Sequence, residues 1–418
     1  MTVTILPGDV RETLAQVADR SVQLCLSSPP YLALRSYLPA DHPDKVREIG
    51  SEPTPEAFVA TMVEVFRDVR RVLRDDGVLV LNLGDSMSGS GKGPTGANGI
   101  GSQGERQGFT DRRTDGGLPP KNLLMIPFRV VMALQADGWV LRSVIPWLKR
   151  NAMPESVTDR PASAVEYLFL LAKRPRYHWD ADAIRVDGQP YGVRAPSGWD
   201  TGLGGHGAFH RNGRETSKAT GEMRSGRSYR NSDAFFESWQ GLTLDEDGDP
   251  LALIVNPQPM KEAHFASFPP RLVEPFVKAA TSERGQCPQC GTPWVRVVER
   301  GALVKVNPNN GNTKPYVNGK DFLNDQTMAS GLTKSGHIPG HAYEKLTTGW
   351  QPGCKCDAGE PVPQTVLDPF AGSGTTLMVA DRLGRNAVGC ELNPEYVAMI
   401  RRRIERDAGM FADVEVAS

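Results

Sequence analysis

The chain has little cysteine, six residues in 418, which excludes a disulfide-stapled scaffold and directs attention to how those six are spaced. It also lacks an excess of charge of either sign: 48 Lys and Arg stand against 49 Asp and Glu, a formal net charge of -1. A generally cationic coat for nucleic acid is thereby excluded, so any contact with phosphates has to come from a local basic face. No apolar run reaches the roughly 18 residues of a membrane span. The N-terminus, Met1-Thr2-Val3-Thr4-Ile5-Leu6, lacks the charged and apolar blocks of a signal peptide. The expectation is a soluble cytoplasmic protein with no membrane association. The chain is long enough for a large core and one or two appended domains.

The most informative stretch present is Val366 to Thr376, a short apolar strand that stops in glycines. Gly372 and Gly374 permit a tight turn and close backbone approach, and a helical pattern follows from Leu377, so a ligand can sit against bare backbone at a helix start. A second short strand, Ala387 to Cys390, ends at Glu391, where a doubly wound sheet positions an acid to accept hydrogen bonds from ribose hydroxyls. Ser90-Gly91-Lys92-Gly93 invites a phosphate-loop reading and fails it. No glycine stands where that motif begins, and Gly93 occupies the position of the magnesium-binding Ser or Thr.

Asp368-Pro369-Phe370-Ala371-Gly372-Ser373-Gly374-Thr375-Thr376 resembles the S-adenosylmethionine motif of DNA amino-methyltransferases, and Ser28-Pro29-Pro30-Tyr31 resembles their catalytic tetrapeptide. With the catalytic motif first and the cofactor motif last, the chain resembles the circularly permuted beta class of that family. The matching segments cover roughly the first 175 residues and the last 60, with a short piece between Glu262 and Pro275. The resemblance implies S-adenosylmethionine as cofactor and double-stranded DNA as partner, with a cognate restriction endonuclease acting separately and the enzyme a monomer or homodimer in a prokaryotic or phage-infected cell. For the cofactor it implies Asp9, Phe268, Pro269, Asp368, Phe370, Ala371, Gly372, Gly374, Thr375, Thr376, Glu391 and Asn393. Asp9 also reads as a plain helix cap, and both roles are compatible.

The chemistry explains the tetrapeptide's residue types. An exocyclic amino nitrogen on cytosine or adenine has its lone pair delocalised into the ring and is a poor nucleophile, so acceptors must localise it. The Ser28 hydroxyl and the Pro29 carbonyl can accept the two amino protons, Pro29 and Pro30 stiffen the loop, and Tyr31 supplies a flat face for an extruded base. Serine at position 28 resembles the cytosine-N4 subgroup, where adenine-N6 enzymes more often carry Asp. A C5-cytosine enzyme needs a Pro-Cys nucleophile, and no cysteine here follows a proline.

Lys149, Arg150 and Asn151 follow a strand ending at Trp147 and are candidates for DNA backbone or base contacts. Between Arg194 and Arg230 basic residues outnumber acidic ones and aromatics interleave with them, the composition of a DNA-facing insertion, with Arg211, Arg214, Arg224, Arg227 and Arg230 as its candidate contacts. Cys287-Pro288-Gln289-Cys290-Gly291 has the common Cys-x-x-Cys spacing, and the later Cys354-Lys355-Cys356 departs from it by one residue but still permits a tetrahedral site; a structural zinc is the expected occupant, with unligated or redox thiols as the alternative. The expected class is α/β: a doubly wound, mostly parallel, circularly permuted S-adenosylmethionine-dependent methyltransferase sheet with target-recognition and zinc-binding insertions. Its segments are a catalytic half (1–173), a target-recognition insertion (174–261), a cofactor-side helix (262–286), a zinc-binding insertion (287–356) and a cofactor-binding half (357–418). Site-specific N4-cytosine methylation of DNA is the leading function. N6-adenine methylation and a non-catalytic zinc-containing DNA-binding protein of the same fold are the alternatives.

Overall fold

The computed structural model describes residues 1–33, 38, 42, 45, 47–88, 117–149, 165–184, 253–255, 268–305, 314–315, 341–357 and 359–417. These divide into two compact units. The first comprises Met1–Trp179, Ala252–Trp294 and Pro352–Ser418, and the second Asp180–Leu251 and Val295–Gln351. All four cysteines of the two pairs fall in the first unit. The expectation of a single 287–356 insertion had grouped them with the strands that lie between the pairs in the chain.

In chain order the elements are β1 (Thr2–Pro7), α1 (Val10–Thr13), β2 (Val22–Ser27), α2 (Pro55–Val72), β3 (Leu73–Leu83), α3 (Ile126–Ala136), β4 (Val140–Leu148), β5 (Val165–Ala172), β6 (Leu253–Ile254), α4 (Pro270–Ala280), β7 (Val295–Lys305), β8 (Lys314–Pro315), β9 (His341–Gln351), β10 (Thr365–Asp368), α5 (Thr375–Arg382), β11 (Asn386–Glu391), α6 (Pro394–Ala408) and β12 (Asp413–Val416). Among the described residues the first unit holds one sheet of nine strands, in the order β12-β1-β11-β10-β2-β3-β5-β4-β6. From β12 to β3 every pair is parallel. β5 then runs antiparallel to both β3 and β4.

The central strand β2 is buried at all six positions, and its neighbours β3 and β10 at most of theirs, as expected for a parallel sheet covered on both faces. Their polar side chains are paired: Gln364 Nε2 donates to Gln23 Oε1 at 2.8 Å, and Ser27 Oγ to Asp368 Oδ1 at 2.6 Å. Helix α2 begins at a Thr54 cap with Pro55 in its first turn, and it buries Phe58, Met62, Val65, Phe66, Val69 and Val72 on one stripe. The helix ends there: Leu73 has extended backbone and opens β3. The permutation closes where β10 pairs with β2, Val366 beside Leu24 and Leu367 beside Cys25. That ladder brings the carboxyl ends of β2 and β10 to one edge, where an open α/β sheet binds ligands. No helix among the described residues is long and apolar enough to cross a membrane.

The second unit, among its described residues, is a three-stranded sheet in the order β8-β7-β9, with antiparallel pairs. Arg296 on β7 is nearly buried, donating to Asp180 Oδ2 at 3.0 Å and lying over the Trp350 ring at 4.3 Å. Lys345 on β9 pairs with Asp182.

Candidate active site

At the carboxyl edge of the first unit's sheet a cleft is lined from the ends of four strands: Gly8, Asp9 and Val10 after β1, Ser28 and Pro30 after β2, Pro369, Phe370 and Gly372 after β10, and Cys390, Glu391 and Leu392 at β11. Arg47, Glu48, Ile49 and Tyr396 complete the wall. The cleft has apolar sides and a few convergent polar groups, the make-up of a small-molecule site. The early tetrapeptide and the late glycine turn therefore open onto one cavity.

Glu391 organises the glycine turn. One carboxylate oxygen accepts from the Gly372 amide at 2.8 Å and the other from the Asn393 amide at 2.9 Å. Burial pushes its pKa up to about 7, against the opposing pull of those amide donors. Gly372 has φ +52° and Gly374 φ +74°. A Cβ on Gly374 would stand 2.7 Å from Ile400 of α6, so a side chain there would push the helix away. Asp9 accepts from the backbone and the guanidinium of Arg11, at 2.9 Å to each, and faces Arg47 at 3.4 Å. Burial alone would raise its pKa. Arg11 and Arg47 outweigh that and hold the carboxyl below its usual range. Two carboxylates on apolar walls are acceptors suited to ribose hydroxyls and an adenine amino group, and they suit a cationic sulfonium as well. The donor set therefore fits an S-adenosylmethionine-type ligand.

Of the residues expected to serve the cofactor, Asp9, Phe370, Gly372 and Glu391 line the cleft. Asp368, Ala371, Thr375 and Thr376 are buried behind it. Asp368 turns inward to Ser27 and to the Phe370 amide, and burial raises it to about 6. Thr375 accepts from Arg403 at 2.9 Å, and Asn393 caps α6 by accepting from the Glu395 amide at 2.8 Å. Pro269 precedes α4, and the Phe268 ring stands edge-on to Trp147 at 6.3 Å. Neither of these two lines the cleft. Arg47, Glu48, Ile49 and Tyr396 also line it. No local pattern marks them.

In the tetrapeptide, the Ser28 hydroxyl donates to Asn82 Oδ1 at 3.1 Å. The Tyr31 hydroxyl lies 3.0 Å from Asn82 Oδ1 and 3.1 Å from Glu166 Oε2. The Tyr31 ring rests against Gly84, where an added Cβ would stand 2.2 Å from Cε2. Asp85 accepts from the Ser86 and Ile126 amides at 2.8 and 3.0 Å, tying the loop after β3 to the start of α3. Lys149, a candidate DNA contact, is paired with Glu166 and lies over the Trp147 ring at 4.3 Å. Arg150, Asn151, Arg211, Arg214, Arg224, Arg227 and Arg230 lie outside the described residues.

The Sγ atoms of Cys287, Cys290, Cys354 and Cys356 all lie within 4.8 Å of one another, and none is in a disulfide. A tetrahedral zinc with Zn–S bonds of about 2.3 Å needs sulfurs roughly 3.8 Å apart, so the cluster fits one ion. The Cys287 amide donates to the Thr292 carbonyl at 2.9 Å and the Gly291 amide to the Cys287 carbonyl at 2.8 Å, a tight turn that aims both thiols the same way. Gly291 has φ +71°, and a Cβ there would collide with Arg74 at 2.0 Å.

A parallel sheet with a glycine turn, a terminal carboxylate and an acceptor-bearing tetrapeptide around one cleft defines an enzyme that brings a nucleoside-type donor to a second substrate. Comparison with known proteins identifies the kind. The family model described as DNA methylase, of the N6/N4 type, matches residues 22–287 and 358–402. The Type II methyltransferase M.SfiI of Streptomyces fimbriatus is 31% identical over 427 residues, covering 93% of this chain and 88% of that protein. M.XycI of Xanthomonas campestris pv. cyanopsidis is 29% identical over 407 residues, covering 96% of this chain and 87% of that one. Among solved structures, the cytosine-N4-specific PvuII DNA methyltransferase is similar at 14% identity and a TM-score of 0.47, over 99% of this chain and 95% of that one. The chain belongs to the N4/N6 family of S-adenosylmethionine-dependent DNA amino-methyltransferases.

Proposed function

We propose that the chain methylates the exocyclic N4 of cytosine at a specific site in double-stranded DNA, taking the base out of the stack to do so. The observation that carries this reading is that Ser28 and Pro30 face the same cleft as Phe370, Gly372 and Glu391. The donor supplies an electrophilic methyl on a sulfonium. The chain supplies the rest: Asp9 and Glu391 as acceptors for its polar groups, the apolar walls to exclude water, and Ser28 with the Pro29 carbonyl to accept the amino protons and localise the nitrogen lone pair. Serine at position 28, where an aspartate is the commoner choice for adenine, supports cytosine. Relatives named as Type II methyltransferases support a restriction-modification setting with a separately acting endonuclease.

A structural zinc at Cys287, Cys290, Cys354 and Cys356 belongs to the same proposal, supported by the convergence of the four thiols. The target-recognition region is the stretch 174–261, supported by the basic residues and interleaved aromatics between Arg194 and Arg230.

Mass spectrometry of nucleosides from DNA treated with the protein and S-adenosylmethionine tests the assignment. N4-methylcytosine is the expected product. N6-methyladenine would overturn the choice of base, and no methylated nucleoside on any DNA would leave a zinc-containing DNA-binding protein as the reading.

A further inference from the structure

Around the tetrapeptide lies a polar cluster that the roles given so far leave unused. Glu166, near the start of β5, accepts from the Tyr31 hydroxyl at 3.1 Å, from the Asn82 amide at 3.4 Å and from the Lys149 ammonium. The Asn82 amide also donates to the Tyr167 carbonyl at 3.1 Å, which turns its oxygen toward Ser28 and Tyr31. Ser28 Oγ and Tyr31 Oη are 3.5 Å apart. A hydroxyl facing the cleft is thus joined through a phenol to a carboxylate. That carboxylate is 21% exposed and its Lys149 partner 15%, so a proton arriving there has a way out to water.

We propose that Glu166 receives, by way of Tyr31, the proton that the target amino group releases on methylation; this rests on the DNA amino-methyltransferase reading of the same site. The amino nitrogen's lone pair forms the new N–C bond while the C–S pair stays on sulfur. The nitrogen, now cationic, passes one proton to Ser28 Oγ. Ser28 passes its own proton to Tyr31 Oη, and Tyr31 passes its own to the Glu166 carboxylate. The positive charge that entered on the sulfonium leaves as that proton, and Ser28 and Tyr31 end as they began. Asn82 cannot stand in for Glu166, because a neutral amide oxygen is not a base near neutral pH. Its part is to hold the two hydroxyls in register. Among the described residues, the titratable groups facing Glu166 are Tyr31, from the loop after β2, and Lys149, just after β4; Asn82 of β3 is its uncharged neighbour.

The test is single-turnover transfer of labelled methyl to DNA across a pH range, for the wild type, Glu166→Gln, Tyr31→Phe, the double variant and Glu166→Asp. Glu166→Gln is expected to keep cofactor affinity within about twofold, to slow transfer roughly 100-fold, and to lose the acidic limb of the wild-type pH–rate profile. The double variant should be no slower than the slower single one, because both changes cut one route. Glu166→Asp, which restores a carboxylate, should restore the limb, and it separates proton acceptance from a folding defect. A Glu166→Gln rate within about threefold of wild type overturns the proposal, as does a slowed variant that keeps the acidic limb. If the wild type itself labels no DNA, the methyltransferase reading fails and the proposal falls with it. An active wild type with an indifferent Glu166 overturns the proton route alone.

Discussion

The sheet edge and the cysteine cluster both join segments far apart in the chain, and they do it by different means. At the edge, backbone ladders do the joining: β10 lies beside β2 in fixed register, so Ser27 reaches Asp368 across 341 residues of sequence. At the cluster the backbone contributes isolated bridges beside the first pair, from Gln286 to Pro293 and to Val362, and the four thiols converge where a cation can hold them. The difference teaches where each region is vulnerable. Side chains at the edge are left for chemistry because the backbone already positions them, whereas at the cluster the proposed zinc would make the side chains themselves the fastening.

Substitutions that separate chemistry from stability sharpen this contrast. The largest expected effect is at Ser28. Ser28→Ala should slow single-turnover methyl transfer roughly 1,000-fold, about 4 kcal/mol in the barrier, with melting temperature and cofactor binding nearly unchanged. Equal loss of cofactor binding would break the division of labour between the two loops. Next comes the cluster: chelation or Cys287→Ser should cost about 3 kcal/mol of folding stability, roughly 3–5 °C in melting temperature, with one zinc per chain lost by elemental analysis. A chelated protein that melts and methylates like the native one would erase the contrast.

Gly84→Ala should come third. The added methyl has no room beside the Tyr31 ring, and displacing that ring by about an ångström is expected to cost on the order of 100-fold in transfer rate with little loss of stability. The smallest effect is at Glu391. A ribose hydroxyl needs the ionised carboxylate as acceptor, so cofactor affinity should rise as pH is raised through about 7. The unliganded fold should behave in the opposite sense. The folded carboxyl holds its proton more tightly than the unfolded one, so stability is lost as pH rises from about 4.5 to about 7. Glu391→Gln should weaken cofactor binding by roughly tenfold, flatten the affinity slope and reduce the stability slope, to which the raised carboxyls of Asp368, at about 6, Asp85 and Asp381 still contribute. Isothermal titration and chemical denaturation across that range read the two together.

Much of the first unit is legible in the residues. The stripe of α2, the Pro-Pro turn after β2, the glycine turn after β10 and the cysteine spacing each depend on neighbours a few positions away, which is what periodicity and turn chemistry encode. Asp368 and the two threonines of the same motif show the limit. They belong to the stretch the sequence singles out, yet they face the interior, because the side-chain direction at a strand end depends on which strand lies next to it.

By itself, then, the sequence determined the strands, the turns and the two motifs, since these follow from local backbone preference and the spacing of apolar residues. Only the tertiary structure decided that Arg47, Ile49 and Tyr396 would wall the cleft and that Asn82 and Glu166 would gather around Tyr31. Those placements arise from the parallel register of β1, β11, β10, β2 and β3 and from the antiparallel return of β5. Such pairings join residues whose separation along the chain carries no period, so the packing of the sheet alone could set them.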